Sequence, residues 1–550
     1  MRVGSRTAVV AGAAGFAMVL AACGGVTEDD GGPSSAPSGS IVIGGCNPEN
    51  PLIPMATNEV CGGNPLDAMF SGLIRYDPET GEAVNEIAQS IESEDNQVWR
   101  VTLRDGWTFH DGTPITAQSF VDAWSWGVHG ENSAYGLNEY FFEPIEGYEE
   151  SRGEFDDNGD YVPGSGSETL SGLEVIDDRT FTITLNAPEA GFPLRLGYTA
   201  FFPLPEAFYA DPEAFGQQPI GSGPFRLVGW DQNQSIQLEA YEGYQGDVKP
   251  RAEQITFRMY QQQDAQYADL LADNVDVVTQ LPPSALAGEA YRADLGDRYI
   301  EREAGVIQTI TFASPEVNPE VDDANLRKAV SLAINRELII QNIFQGQYTA
   351  ATGWVSPVVE GYLGDQCGEF CVYDAELAKT YLADSGFDGP IIFGYNGDGG
   401  HDEWVNAACN SISNALEIEC RAQAVPLFAE FREQINARET GDMTMFRTGW
   451  QMDYPSIENF LTPLYATGAS ANDGDYSNEQ FDDLVRQAAQ AQDDEALELY
   501  QQAERVLAED MPVIPLWYGK TIAGYSTRVD PDSVSITPFG TLDLLSITGR

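Results

Sequence analysis

Apolar positions along this chain predict a protein that mixes strands with helices. Alternation of apolar and polar side chains predicts strands over 98–103, 173–176, 180–185 and 254–257. Apolar residues that recur every three or four positions predict helices over 66–74, 116–126, 262–273, 327–344 and 403–416, and two more within 478–507. Short apolar runs at 41–44, 390–395 and 513–517 are typical of buried strands. The strand–loop–helix order of the second half indicates α/β architecture.

The first 40 residues follow a different pattern. Two arginines precede an apolar run at 8–20, which is shorter than the roughly 20 residues of a membrane-spanning helix. This order is typical of a secretory signal peptide, here 1–22. Its Leu-Ala-Ala-Cys ending resembles the bacterial lipobox, which predicts that Cys23 is lipidated. Residues 23–40 are then a polar, flexible tether. We therefore expect a lipid-anchored protein on the outer face of the cell membrane; the alternative is an ordinary cleaved signal.

The charge balance excludes one class of partner. The chain carries 86 acidic and 28 basic residues, which gives a net charge of −58. A surface of this sign repels nucleic acid phosphates, so we expect no nucleic acid partner. The charge is consistent with a saline habitat or a GC-rich genome and does not identify a ligand. Roughly 510 residues beyond the tether exceed what one hydrophobic core serves, which predicts two or three structural units.

The cysteines indicate disulfides rather than a metal site. Six remain besides Cys23, an even number that favours disulfides in an exported protein. Six cysteines allow 15 pairings. Proximity in the sequence favours Cys46–Cys61, Cys367–Cys371 and Cys409–Cys420. The competing zinc site lacks a second cysteine pair at the required spacing, and the three histidines are scattered. We therefore expect no bound metal.

Several stretches together resemble the extracytoplasmic solute-binding proteins of ABC importers, in the oligopeptide/dipeptide-binding family. The most distinctive is Trp-Arg-Val-Thr-Leu-Arg-Asp-Gly-Trp-Thr-Phe-His-Asp-Gly-Thr-Pro at 99–114, which is scaffold and carries no chemistry. The others are 70–78, 221–225, 326–336, 449–455 and 476–482. They occur in the order expected for the family and span nearly the whole mature chain.

The resemblance implies an α/β, two-lobed periplasmic-binding-protein fold with hinge crossings and an extra subdomain inserted in the first lobe. In this family the lobes close around a ligand, and the loaded form docks on a membrane permease. Mapped onto this chain, lobe I takes 41–66, 172–305 and 516–550, the inserted subdomain 67–171, and lobe II 306–515, with hinges near 306–312 and 516–518.

The resemblance also implies a binding site. The family motif Gly-Trp-x-x-Asp matches 449–453, so Asp453 is expected to pair with the α-ammonium of a peptide held in extended form. Trp450 would supply an aromatic wall, and Gly449 and Gln451 backbone hydrogen bonds. Arg447 matches a position that faces the ligand carboxylate. In the alternative interpretation Asp453 caps a helix over 454–461, and Arg447 forms a surface or interlobe ion pair.

These observations predict a monomeric receptor without a cofactor, which captures short peptides and delivers them to an ABC permease. A second possibility is the same fold with another cargo, such as nickel, haem, an opine or an oligosaccharide. A secreted hydrolase is disfavoured because the chain has neither Gly-x-Ser-x-Gly nor His-Glu-x-x-His. We therefore expect no enzymatic activity. A sensor or chaperone-like receptor without transport remains a further alternative.

Overall fold

The computed structural model describes residues 39–156, 159–469 and 471–550. The predicted signal peptide (1–22), Cys23 and the tether up to residue 38 lie outside the described residues. Ser40, the last residue of the predicted tether, already begins the first strand. In the described part of the chain, every helix is too short or too polar to cross a bilayer.

The described residues form 17 strands and 16 α-helices. The strands are β1 (Ser40–Gly45), β2 (Ile74–Tyr76), β3 (Ala83–Asn85), β4 (Ala88–Glu92), β5 (Val98–Leu103), β6 (Leu173–Asp177), β7 (Thr180–Thr184), β8 (Phe225–Asp231), β9 (Ser235–Ala240), β10 (Gln254–Met259), β11 (Val277–Val278), β12 (Tyr299–Phe312), β13 (Thr349–Ala350), β14 (Ile391–Asn396), β15 (Cys420–Val425), β16 (Met445–Gln451) and β17 (Val513–Tyr525). The helices are α1 (Val60–Met69), α2 (Ala117–Val128), α3 (Tyr148–Arg152), α4 (Glu206–Ala210), α5 (Pro212–Gln217), α6 (Gln263–Leu271), α7 (Pro283–Leu286), α8 (Ala290–Leu295), α9 (Ala324–Ala333), α10 (Arg336–Asn342), α11 (Ala375–Ser385), α12 (Asp402–Leu416), α13 (Phe428–Asn436), α14 (Thr462–Tyr465), α15 (Glu479–Gln490) and α16 (Asp493–Asp510).

One large mixed sheet connects most of the chain. Its strand order is β15-β14-β16-β12-β17-β11-β1-β10-β9-β8, and β13 pairs with β17. The two longest strands, β12 and β17, run antiparallel to each other in the middle of this order. Two smaller antiparallel sheets, β2-β3 and β4-β5-β7-β6, come from the first third of the chain.

The hydrophobic side chains form two main cores. The first contains residues between 41 and 277, together with a C-terminal group between 523 and 547. The second contains residues between 307 and 518. Tyr454 belongs to the first core, although Met452 and Ile457 on either side of it belong to the second. The segment around Tyr454 therefore contacts both cores.

The structure confirms several of the predicted strands and helices whose apolar period is unambiguous. The predicted strand over 98–103 is confirmed as β5. The predicted helix over 116–126 is α2, and its predicted N-cap, Thr116, is confirmed. The backbone N–H of Thr116 donates to the Ser119 hydroxyl at 3.2 Å, which reinforces this helix start. The pattern within 478–507 is confirmed as two helices, α15 and α16.

The single helix predicted over 327–344 is wrong, because the chain forms α9 and α10 with a break between them. Asn335 at the break accepts a hydrogen bond from the Leu338 backbone N–H at 3.0 Å and so caps the second helix. Arg336 is buried, and its guanidinium donates to the carbonyls of Pro515 at 2.8 Å and Ser331 at 3.0 Å. Asn335 and Arg336 thus end one helix and begin another inside a continuous apolar pattern.

The helix predicted over 66–74 is also displaced. It starts earlier, where the Glu59 carboxylate accepts from the Gly62 backbone N–H at 3.0 Å. It ends at Met69, because Phe70 adopts an extended conformation, and Ile74 already belongs to β2. The buried apolar side chains beyond Met69 therefore pack from an extended segment rather than from a helix.

The structure contains three disulfides, and they join the pairs that proximity in the sequence favours. These are Cys46–Cys61, Cys367–Cys371 and Cys409–Cys420. Their Cα–Cα distances of 5.2, 5.7 and 5.0 Å lie within the usual range for disulfides. The first ties the start of α1 to the residue directly after β1, and the third ties α12 to β15.

Thiol titration of the mature protein, denatured without reductant, tests this pairing. We expect no free thiol from the six cysteines between 46 and 420, because an oxidising compartment preserves disulfides of this geometry. Peptide mapping should recover each of the three linked pairs. Several reactive thiols, or linkage between different pairs, would contradict the structure.

Candidate functional site

Strand β16 is paired over its whole length along only one of its two edges. On one side it pairs with β12 over its whole length, from Met445 to Gln451. On the other side β14 pairs with it only at Met445 and Phe446. In the described residues, 448–451 have no strand partner on that side; we call this segment the free edge. Unpaired strand edges are ready templates for an added extended chain.

The backbone groups of the free edge point outward at alternate residues. The Met452 backbone N–H donates to the Gly305 carbonyl at 2.7 Å, which fixes the phase of the ladder with β12. Because paired backbone groups alternate in an antiparallel ladder, the even-numbered residues of β16 turn toward β12. The N–H and C=O groups of Gly449 and Gln451 then turn toward the free edge. These are the two residues predicted to give backbone hydrogen bonds.

Gly449 is required by the close approach of β12. A Cβ at this position would lie 2.8 Å from the Ile307 carbonyl oxygen, which is backbone and has little room to move. Gly449 is also exposed, so no side chain screens the backbone of the free edge at its centre. The glycine of the motif therefore serves both the strand pairing and the accessibility of the edge.

A cavity of about 540 Å³ follows the free edge, a volume in the range of small-molecule sites. Its wall along β16 consists of Arg447, Thr448, Gly449 and Trp450. Elsewhere it is lined by polar groups that already have partners. Arg432 donates to both carboxylate oxygens of Asp473 at 2.7 and 2.9 Å, and Thr448 shares hydroxyl hydrogen bonds with Thr309 and Thr311. The charges in this wall are thus largely compensated before any ligand arrives.

Arg447 lies directly before the free edge. Its Nε donates to the Asn396 side-chain oxygen at 2.9 Å, and its guanidinium carbon lies 5.4 Å from the centre of the Phe428 ring. Asn396 is the last residue of β14, where that strand has already separated from β16. This arrangement holds the guanidinium beside the cavity.

Asp453 lies just beyond the other end, and the structure overturns its interpretation as a helix cap. Residues 454–457 are not helical, and the next helical turn, the 3₁₀ helix Glu458–Phe460, has Ile457 at its N-cap. Asp453 is half-buried, and burial raises its pKa to about 7. The Asn459 hydrogen bond opposes this rise by favouring the charged form.

Asn459 is the residue of the site that the sequence analysis missed. Its side-chain oxygen accepts from the Trp450 indole N–H and from the Asp453 backbone N–H, both at 3.0 Å. Its side-chain nitrogen donates to an Asp453 carboxylate oxygen at 3.1 Å. With 1 % of its surface exposed, Asn459 fixes the two predicted ligand-binding side chains relative to each other. The signal available in the sequence was an asparagine with apolar residues close on both sides, in Ile-Glu-Asn-Phe-Leu at 457–461.

The charge of Asp453 acts on three tyrosines from the first 200 residues. Burial raises the pKa of Tyr76, Tyr140 and Tyr198 well above the usual range, and the negative charge of Asp453 is the next cause in each case. The three phenols therefore lie within electrostatic range of this carboxylate. Tyr140, Phe141 and Tyr198 form a continuous stack with ring centres 4.4 and 4.2 Å apart. Asp453 thus faces an aromatic surface that belongs to the first core.

The cation whose charge acts on Asp453 is already engaged. Arg195 lowers the pKa of Asp453, but its guanidinium forms ion pairs with Glu189 and, at 3.7 Å, with Glu458. It also lies 5.4 Å from the centre of the Tyr454 ring. In the part of the chain that the structure describes, Asp453 forms no ion pair of its own. The site therefore presents a desolvated carboxylate that lacks a counter-charge.

Replacement of Asn459 by leucine should destabilise the protein by about 1–3 kcal/mol, because buried groups of Trp450 and Asp453 lose their partner. Urea unfolding monitored by circular dichroism measures this as a lower midpoint. The control Asn342→Leu changes an exposed asparagine on α10 and should stay within about 0.5 kcal/mol of the parent. Equal stability of Asn459→Leu and the control would show that these hydrogen bonds are unimportant.

Comparison with known proteins places this geometry in context. The family model "Bacterial extracellular solute-binding proteins, family 5 Middle" matches residues 82–472. Oligopeptide-binding protein OppA of Bacillus subtilis is 26% identical over 528 residues, which cover 92% of each chain. The dipeptide-binding protein of Escherichia coli is 25% identical over 487 residues, 84% of each chain. Heme-binding protein A of Haemophilus influenzae is 26% identical over 378 residues, 66% of this chain and 67% of the relative.

Solved structures confirm the predicted fold class. The murein tripeptide-binding protein MppA of Escherichia coli superimposes with a TM-score of 0.77 at 21% identity, covering 93% of this chain and 98% of MppA. Haemophilus influenzae OppA in complex with the peptide RPPGFSPFR gives a TM-score of 0.75 at 20% identity, with 93% and 98% coverage. The mixed α/β, two-lobed periplasmic-binding-protein fold is therefore the fold of this chain.

Proposed function

The chain belongs to the bacterial extracellular solute-binding proteins of family 5, and we propose that it is the substrate-binding receptor of an ABC importer for short peptides. The observation that carries the proposal is the free edge of β16, which ends at a desolvated carboxylate without a counter-charge. Relatives named for oligopeptide and dipeptide binding support the peptide as cargo. The protein acts by binding and release, without catalysis or a cofactor.

The peptide binds as an additional strand on the free edge. Its main chain exchanges hydrogen bonds with the outward groups of Gly449 and Gln451, which makes recognition independent of side chains. Its α-ammonium pairs with Asp453, and Trp450 supports the site through its bond to Asn459. Arg447, at the other end of the edge, meets the carboxylate end of the ligand.

Charge compensation makes the peptide's amino end the main anchor. The pKa of about 7 means that Asp453 is partly protonated in the empty protein at neutral pH. A bound ammonium group favours the charged carboxylate, so the ligand supplies the positive charge that Asp453 lacks in the empty protein. Once desolvated and paired, such an interaction is strongly weakened when either member is removed.

Closure of two lobes delivers the ligand. We assign lobe I to 41–66, 172–305 and 516–550, the inserted subdomain to 67–171, and lobe II to 306–515. The two hydrophobic cores support the separation of lobe II from the rest of the chain. Hinges near 306–312 and 516–518 are supported by register irregularities in the β12–β17 ladder between Glu303 and Ile307 and between Gln308 and Thr309. Such irregularities bend strands locally. A monomer that closes in this way then docks on the permease.

Lipid attachment at Cys23 holds the receptor at the outer face of the membrane. Replacement of Cys23 by alanine should move the protein from the membrane fraction to the soluble fraction, because the mature chain then has no acyl anchor. Fractionation followed by immunoblotting measures the distribution. Peptide binding, which does not require the lipid, checks that the variant is folded. A Cys23→Ala protein as membrane-bound as its parent would contradict the anchor.

The role of Asp453 is tested by combining Asp453→Asn with N-acetylation of a tri-alanine peptide. Either change alone should weaken binding by roughly two to three and a half orders of magnitude, since breaking a buried ion pair costs about 3–5 kcal/mol. Both changes together should cost much less than the sum, because they remove one shared interaction. Calorimetric titration of the four combinations measures the coupling.

The matched control is Asp384→Asn, which alters an exposed aspartate on α11 and should leave all affinities unchanged. Additive effects of Asp453→Asn and acetylation would show that the ammonium binds elsewhere. Failure of the parent to bind any free peptide, together with binding of haem or another cargo, would overturn the peptide assignment itself.

A further inference from the structure

The first core carries a buried arginine on the 3₁₀ helix Phe192–Gly197. Leu196 of this helix is fully buried in that core. The Tyr76 hydroxyl donates to the Leu194 carbonyl at 2.6 Å, which ties the helix to strand β2. Arg195, with 8% of its surface exposed, is therefore firmly attached to the first core.

The Arg195 guanidinium contacts glutamates from both halves of the molecule. One is Glu189, whose backbone N–H donates to the Asn96 carbonyl at 2.8 Å, two residues before β5 of the first core. The other is Glu458, which lies 3.7 Å away and directly follows Ile457 of the second core. All three charged side chains are largely buried. One cation thus links the two cores.

The same arginine contacts the segment that carries Asp453. Its guanidinium carbon lies 5.4 Å from the centre of the ring of Tyr454, the residue after Asp453. The Tyr454 hydroxyl donates to the Glu458 carboxylate at 2.6 Å. Asn459, next in the chain, donates to the Asp453 carboxylate at 3.1 Å. The position of Asp453 and the contact between the two cores therefore depend on the same short segment.

A backbone hydrogen bond reinforces this contact. The Ala190 backbone N–H donates to the Ala489 carbonyl at 2.7 Å. Ala190 directly follows Glu189, and Ala489 is on α15, next to Ala488 of the second core. The segment 189–195 of the first core therefore contacts the second core at two points.

The charges at this contact stay paired when the two cores move apart. Arg195 keeps Glu189, its partner on the first core. Glu458 keeps the hydrogen bond from Tyr454, which lies on its own segment. A buried charge that loses its only partner is costly, and here neither charge does so. The geometry therefore suits a contact that forms and breaks repeatedly.

We propose that Arg195 and Glu458 form a latch between lobe I and lobe II, which closes when a peptide binds and slows its release. This inference rests on the proposed peptide-binding function and adds a mechanism that retains the ligand. A peptide that pairs with Asp453 fixes the segment 453–459, on which Arg195 then docks. Arg195 is thus a positioning residue that couples ligand capture to lobe closure.

Cross-linking across the contact tests whether it forms on closure. The full mature protein carries Ala190→Cys and Ala489→Cys together with Cys23→Ala, which removes the one cysteine outside the three disulfides. A short bismaleimide should link the two introduced thiols several-fold faster in saturating tri-alanine than without peptide, as followed by electrophoresis. Equal rates with and without tri-alanine would show a permanent contact and overturn the latch.

Two conservative variants separate the two halves of the ion-pair network. Glu458→Gln removes the charge that faces Arg195 across the lobes and retains an acceptor for Tyr454. We expect it to weaken tri-alanine binding roughly 10-fold, mainly through faster release. The matched control Glu189→Gln alters the partner within lobe I and should keep the release rate of the parent, because Glu458 still pairs with Arg195. Calorimetric titration measures the affinity, and stopped-flow displacement the release rate.

Parent-like release from Glu458→Gln, or equal effects of the two variants, would overturn the latch and leave the peptide function standing. The cross-linking comparison uses neither variant, so it remains decisive where one of them folds poorly. Absence of tri-alanine binding to the parent would overturn both the latch and the function on which it rests.

Discussion

The unequal pairing of β16 is the constraint on which the binding site depends. Full pairing with β12 makes the strand part of the central sheet, and loss of pairing with β14 after Phe446 leaves the rest of its other edge open. A rigid edge with outward N–H and C=O groups offers an extended ligand hydrogen bonds whose geometry is set in advance. Little ordering is then required when the ligand binds, which favours affinity.

The second constraint is that, among the described residues, no cation forms an ion pair with Asp453. The chain carries a net charge of −58, yet the carboxylate proposed to bind the ligand, Asp453, is one that the fold desolvates. Arg195, the basic side chain that acts on Asp453, is held by two glutamates, so it does not neutralise the aspartate. Asn459 orients Asp453 through neutral hydrogen bonds and leaves its charge uncompensated. In the proposed function, the amino end of a peptide supplies the counter-charge that Asp453 lacks.

Local pattern predicted much of the fold. Alternating apolar residues identified β5, and a capped amphipathic stretch identified α2, because both signals come from neighbouring residues. The helix predicted over 327–344 failed where Arg336 is buried by contacts with Pro515, a partner far away in the sequence. For the candidate site, too, local motifs were visible in the sequence and contacts between distant residues were not. The Gly-Trp-x-x-Asp motif singled out residues 449–453 as a candidate site, whereas Tyr76 and Tyr198 come within range of Asp453 only through tertiary packing, which no local period records.

A crystal structure of the protein with bound tri-alanine tests the central claim most directly. The account expects the peptide as an extended strand along 448–451, with main-chain hydrogen bonds of about 2.9 Å to Gly449 and Gln451. Its α-ammonium should lie within about 3 Å of an Asp453 carboxylate oxygen. A peptide bound elsewhere, or one whose amino end points away from Asp453 while the free edge stays unoccupied, would contradict the account.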